Sequence, residues 1–454
     1  MNVLQYFIDL GPSVVLPIII FLFAIILKTK PSTAFRAGLT VGIGFIGINL
    51  VIGLLMDSLG PAAKDMVTRL GVHLSVIDVG WPATSAIAFG STVGALAIPI
   101  GLILNVVFLI FGLTKTLNVD IWNLWHIAFT GALVNIITGS FTLGILTVII
   151  HAMSLLVLSD LTAKHVEKFY GYPNITFPHG TSCAYYLFAL PLEKLFNILP
   201  GIKNWKADSE SIQKRFGILG ESTVLGLILG IIIGFLAGWS VKDSLQLGVK
   251  TAAVMLVLPR MVAILMEGLM PISEAAGEFV RNRFPDRDVY IGMDSALAVG
   301  HPAVIASSLI LVPIALGLAV LVPGNQVLPF GDLATIPFII CLMVPIFRGN
   351  IIRTVIAGAI AIGFGLLLAT YISPLFTQAA KNAGFHFPQG ANAISSLVDG
   401  AVPTTAIFVF AAKLGYIGIL AIGGLSLGTA IYLRKRNKSD GRNSNIESIE
   451  KISV

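Results

Sequence analysis

The sequence predicts an all-α polytopic membrane protein with inverted repeats, and three observations carry that expectation. The first is composition: of 454 residues, 56% are apolar and only 11% are charged, against roughly 25% charged in soluble domains. The second is a succession of apolar runs, each near the ~20 residues that a spanning helix needs. The third is internal: Leu55-Met56-Asp57-Ser58-Leu59-Gly60-Pro61 is echoed by Leu265-Met266-Glu267-Gly268-Leu269-Met270-Pro271, and Gly38 and Gly248 stand at the same separation. Two related halves are the sequence trace of transporters whose substrate sits between the repeats.

The runs place about 11 spans, at roughly 11–28, 35–58, 92–113, 122–139, 141–160, 217–238, 246–270, 303–322, 332–347, 351–372 and 413–433. An odd number puts the termini on opposite sides. The basic tail Arg434-Lys435-Arg436-Asn437-Lys438 is then cytoplasmic and the N-terminus outside, by the positive-inside rule. Most of the 29 basic residues agree, including Lys28, Lys30, Arg36, Lys115, Arg348, Arg353, the Arg281–Arg283–Arg287 cluster and the lysines between 161 and 216. This basic excess follows topology and does not point to nucleic acid. Five spans before a long cytoplasmic loop force the second repeat to be inverted. The chain therefore divides into a first repeat at 1–160, a cytoplasmic loop at 161–216, a second repeat at 217–372, an external loop and last span at 373–433 and a cytoplasmic tail at 434–454. The start, Met1-Asn2-Val3-Leu4-Gln5, has no basic n-region, so no cleavable signal is expected.

Two stretches, 60–91 and 272–301, are too polar for spans and too apolar for loops, and they occupy matching places in the halves. They carry Asp78-Val79-Gly80-Trp81-Pro82-Ala83-Thr84-Ser85 and Gly292-Met293-Asp294-Ser295. Irregular backbone survives at membrane depth only where protein or a watery cavity satisfies it, so they read as re-entrant hairpins lining a site, with interfacial amphipathic helices as the alternative. Neither a redox pair nor a zinc site can be built from Cys183 and Cys341, and the seven histidines show no metal-binding spacing, so no metal or cofactor is expected.

Polar side chains within spans are expensive to keep and mark candidate functional positions. Trp122, His126 and Thr130 recur every four residues on one helical stripe. His179, Thr181 and Ser182 follow Pro178 in a turn of the long loop, free for a substrate hydroxyl or for local capping. Asp294, in an apolar setting, either accepts hydroxyl donors or pairs with Arg260. Asp78, with Trp81 beside it, is read in the same way. Asp57 and Glu267 are read as anchors of helix ends. Asn325, Gln326 and Asp332 either line an external vestibule or staple a turn.

These residues carry a resemblance. Leu10-Gly11-Pro12, Asp57 through Lys64, Ile77 through Pro82, Asn118-Val119-Asp120-Ile121-Trp122-Asn123, Pro178-His179-Gly180-Thr181-Ser182, Lys250 through Leu256 and Pro323 through Thr335 resemble the galactitol-type membrane subunit, enzyme IIC, of the bacterial phosphoenolpyruvate-dependent sugar phosphotransferase system. That family is similar to the ascorbate permeases. The resemblance implies a homodimeric elevator in the inner membrane, with substrate groups at Asp78, His126, Thr130, His179, Thr181 and Asp294. It also implies separate cytoplasmic IIB and IIA chains that hold the phosphoryl group, so that this chain is the transport subunit and no enzyme by itself. The segment 375–412, with Val398-Asp399-Gly400-Ala401-Val402-Pro403, departs from the family pattern. Outside the resemblance, a proton-coupled polyol transporter using Asp294 or Glu267 remains the alternative.

Overall fold

The computed structural model describes residues 12–69, 74–118, 120, 122–205, 207, 222–283, 289–329, 331–385 and 393–452. The first half runs α1 (Pro12–Ile26), α2 (Pro31–Arg69), β1 (Val76–Asp78), α3 (Gly80–Gly90), α4 (Ala97–Ile110), β2 (Thr116–Asn118), α5 (Trp125–Thr138), α6 (Phe141–Tyr170), β3 (Ile175–Thr176) and α7 (Gly180–Ile198). The second runs α8 (Ser222–Leu236), α9 (Val241–Arg283), β4 (Tyr290–Gly292), α10 (Ala296–Val299), α11 (Pro302–Leu321), β5 (Val327–Leu328), α12 (Ile336–Ile340), α13 (Ile351–Asn382), β6 (Ala393–Ser395) and α14 (Pro403–Ala412). A last helix, α15 (Gly415–Ile452), follows.

Four described helices are long and apolar enough to cross a membrane: α6, α11, α13 and the Gly415–Arg436 part of α15. Shorter apolar helices stand beside them. Their ends have local causes. Ser140 caps α6 by accepting from Leu143 N, and Gly171, in the left-handed region at φ +72°, ends it. His301 caps α11 ahead of Pro302, and Asn350 caps α13.

The protein is not all-α. Among the described residues, six strands of two or three residues form two parallel sheets, ordered β5-β1-β6 and β2-β4-β3. The first strand of each half is the centre of a sheet whose flanking strands come from the other half: Val76 lies opposite Val327 and Ala393, and Ile291 opposite Leu117 and Ile175. Strands this short carry no alternating pattern to read in advance.

The expected hairpins are also revised. Residues 60–69 continue α2 straight through Pro61, and 272–283 continue α9, so only β1–α3 and β4–α10 form the broken segments. At 39 and 43 residues, α2 and α9 reach roughly 58 and 65 Å at 1.5 Å per residue, beyond a hydrocarbon core of about 30 Å. Such lengths must tilt or protrude. Asp57 and Glu267 sit exposed within these helices and do not anchor their ends. α2 packs along α9, with α1 and α8 against the pair. The contact is close because Gly268 faces the Ala37 carbonyl and the Val41 amide, where a Cβ would approach to 2.9 and 2.8 Å.

The remaining helices form a second group around α5, α6, α11 and α13. The expected span at 332–347 is there a broken segment, with a 3-10 turn at Leu333–Thr335, the five-residue α12 and buried turns as far as Gly349. Pro337 and Pro345 remove amide donors from it. Most of the described part of the supposed loop at 161–216 is ordered structure. α6 extends to Tyr170, α7 starts at Gly180, and buried Arg353 donates to Glu193 Oε2 and Asn197 Oδ1, both at 2.9 Å.

The backbones of the two halves cross in close contact where Gly80, at φ +77°, meets Gly331. A Cβ on Gly331 would stand 2.4 Å from Gly80 N and 2.6 Å from Asp78 O. Gly331→Ala should therefore abolish monodisperse, cooperatively melting protein. Gly317→Ala, in α11 with nothing within 4 Å of the new methyl, should add about 0.5–1 kcal/mol of stability, read as an equal or higher melting midpoint.

Candidate functional site

Two carboxylate clusters flank this crossing, and they do different work. In the first, Asp78 Oδ1 accepts from Gly80 N at 3.0 Å and Oδ2 from Asp332 N at 2.9 Å. Asp332 in turn accepts from Trp81 N at 2.8 Å, from Val398 N at 3.2 Å and from the Ser396 hydroxyl. Both carboxyl groups are buried and occupied by backbone, which makes them staples between β1, the 332 turn and the segment after β6. Asn325 is a staple of the same kind. Its side chain donates to Ala319 O and Val327 O and accepts from Val327 N and Thr370 Oγ1. Gln326 Oε1 accepts from Ser75.

The second cluster lies in the apolar interior. His126 Nδ1 stands 2.8 Å from Asp399 Oδ1, with side-chain exposures of 0% and 2%. The His126 ring meets that of His179 at 4.6 Å, edge to face, and His179 Nε2 lies 3.8 Å from Asp294 Oδ1. Both histidines come from the first half and both carboxylates from the second, so neither half can form the cluster by itself. Trp125 lies over His126 at 3.9 Å, and Phe338 stacks on His179 at 5.5 Å.

Local structure sets these side chains. His179 is the N-cap of α7, its Nδ1 accepting from Ser182 N at 3.4 Å. Gly180 follows because a Cβ there would meet the His126 side chain at 2.4 Å. Asp294 accepts from Ala296 N at 2.9 Å, closing the turn into α10. Ser182 Oγ reaches Phe338 O at 2.7 Å and Ser295 Oγ at 2.9 Å, tying α12 to the turn before α10. The result is two neighbouring histidine–carboxylate pairs, His126–Asp399 fully buried and His179–Asp294 slightly exposed. Among the described residues, His126 Nε2 and Asp399 Oδ2 are buried with no hydrogen-bond partner. Vacant polar atoms inside a membrane protein are costly and mark a place for a hydrogen-bonding ligand.

Of the residues expected from the sequence, His126, His179, Thr181 and Asp294 come together here, with Thr181 Oγ1 3.5 Å from Val398 O. Thr130 is one turn along α5, its hydroxyl spent on His126 O at 3.1 Å. Asp78 and Trp81 belong to the neighbouring staple. Trp122 lies in the 3-10 turn before α5, and its side chain is outside the described residues. Asp294 faces His179, whereas Arg260 is exposed on α9. Asp399 was missed. It follows Ser395 and Ser396 in a segment without helical period, and the one available signal was a carboxylate between apolar Val398 and Gly400-Ala401-Val402. Cys183 and Cys341 are free and buried. A cavity of about 20 Å³ lined by Asn105, Asn118, Asn123 and Pro178 has room for a water.

Residues 6–390 match the family of PTS system sugar-specific permease components. The chain belongs to that family. This permease component is 43% identical over 437 residues to the "PTS system galactitol-specific EIIC component" of Escherichia coli (strain K12), covering 96% of both chains. The protein of that name from Escherichia coli O157:H7 matches equally. A "Putative permease IIC component" of strain K12 is 41% identical, over 96% of this chain and all of its own.

The division between staple and vacant pair is testable by stability. Asp332→Asn sets an amide donor among three donors and should cost roughly 1.5–3 kcal/mol of stability, read as a lower thermal midpoint of the permease component in detergent. Thr130→Val removes only a bond within α5 and should leave the midpoint close to that of the parent.

Proposed function

We propose that this permease component takes up galactitol or a similar hexitol, binding it from outside at the His126–Asp399 and His179–Asp294 pairs and presenting it to phosphorylated IIB at the cytoplasmic face of the inner membrane. The observation that carries the reading is the buried polar cluster itself. It offers carboxylate acceptors, imidazole nitrogens and hydroxyls to a ligand that is all hydroxyl groups, and two of its atoms stand vacant. The names of the relatives, galactitol-specific among them, agree with that chemistry.

The reading extends to how the chain moves. The repeated element order and the exchanged strands support inverted repeats around the site. The separation into an α1–α2–α8–α9 group and a site-bearing group supports an elevator, with the first as scaffold and the second as the moving part. Exposed Leu22, Ile26, Phe35, Leu50 and Phe235 give the first group apolar faces for lipid and for a second subunit. With the N-terminus outside and the C-terminus cytoplasmic, exposed Lys194 and Lys203 face IIB, where positive charge would steer an acidic partner. The Arg281–Arg287 side chains and much of 206–221 lie outside the described residues.

Uptake of labelled galactitol by vesicles, with and without phosphorylated IIB, decides the function. Phosphorylated product supports group translocation, and free polyol accumulated on a pH gradient would replace it with symport. For the site, Asp294→Asn exchanges an acceptor for an amide and should weaken galactitol binding by roughly tenfold or more, equivalent to about 1.5–3 kcal/mol, with a normal melting profile. A destabilised variant with parental affinity would remove Asp294 from the site.

A further inference from the structure

The His126–Asp399 pair has a geometry that polyol binding does not require. His126 is held at Nδ1 by a buried carboxylate oxygen at 2.8 Å, while Nε2, on the opposite edge of the ring, has no partner among the described residues. With Asp399 ionised, Nδ1 carries the proton and Nε2 presents a lone pair, since the tautomer of a histidine is set by the bond its other nitrogen makes. A carboxylate-oriented imidazole with a vacant Nε2 is the arrangement of a general base. We propose that His126 takes the proton from the polyol hydroxyl during phosphoryl transfer, with Asp399 as its positioning residue. The proposal rests on the reading that the polyol occupies this cluster.

The other titratable groups nearby fit the role less well. His179 spends Nδ1 on the amide of Ser182 and turns Nε2 toward Asp294. Asp294 already accepts from Ala296 N and is left to hold hydroxyls. His151, on α6, has both nitrogens vacant but lies against Phe408 with no carboxylate to orient it. Among the described residues, Tyr185 of α7 is buried within electrostatic reach of Asp399, His151 within reach of His126, and the Cys341 thiol beside Asp294 and Ser182.

The step balances without any further reagent. A hydroxyl oxygen of the polyol forms a bond to the phosphorus carried by phosphorylated IIB, and the bond from phosphorus to the donor atom of IIB breaks, its electron pair leaving with that atom. The hydroxyl proton passes to His126 Nε2. Asp399 stabilises the imidazolium until the phosphorylated product departs and the proton is released. Trp125 over one face of the ring and Gly180 against its side chain fix the ring plane during the transfer.

The test is single-turnover and steady-state transfer from phosphorylated IIB to labelled galactitol by the purified permease component in lipid nanodiscs, with equilibrium galactitol binding measured on the same samples. His126→Gln keeps a hydrogen-bonding side chain but cannot take up a proton. It should lower kcat by roughly 10²–10⁴-fold, far more than the loss of galactitol binding measured on the same samples. Asp399→Asn should lower kcat in the same sense, because an amide donating to Nδ1 moves the ring proton onto Nε2 and blocks it. His151→Gln should retain the parental kcat. The proposal is overturned if His126→Gln keeps its turnover, or loses it only in proportion to lost affinity. Should that variant fail to fold, a parental kcat in Asp399→Asn overturns it instead. If the parent protein itself binds no galactitol, the site reading fails, and this proposal with it.

Discussion

The backbone inside a membrane protein must find all its hydrogen-bond partners within the protein, and here broken segments of each half find them in the other. β1 is flanked by β5 and β6, and β4 by β2 and β3, so each half supplies the centre of one sheet and the edges of the other. Everything at the site follows from this exchange. It brings the start of α5 and α7 to the segments after β4 and β6, and so sets two first-half histidines against two second-half carboxylates.

The same exchange explains why the buried carboxylates divide in function. Asp78 and Asp332 sit where the backbones cross at Gly80 and Gly331, and their oxygens are consumed by the first-turn amides of α3 and by the Asp332 amide. By accepting from Val398 N, Asp332 fixes the residue before Asp399. A structural pair therefore positions a member of the vacant pair. Asp160 of α6 serves the other sheet in the same manner, accepting from Thr114, Lys115 N and Thr116 beside β2.

In the proposed reading the solute is a polyol, which offers many hydroxyls and no charge. Recognition then depends on acceptors and donors kept dry and unspent.

The sequence by itself determined the membrane class and the family resemblance, and it picked out His126, His179, Thr181 and Asp294, which the fold brings near one another. Those features are local: the cost of a polar group in an apolar run is visible without knowing its neighbours. Only the tertiary structure decided that Asp78 is a staple, that Asp399 joins His126, that α2 and α9 run through the stretches expected to be hairpins, and that parallel strands exist at all. The physical reason is distance along the chain. Asp399 meets His126 across 273 positions and Asp78 meets Asp332 across 254, and a pairing of that range leaves no periodicity, cap or turn for a one-dimensional reading to detect.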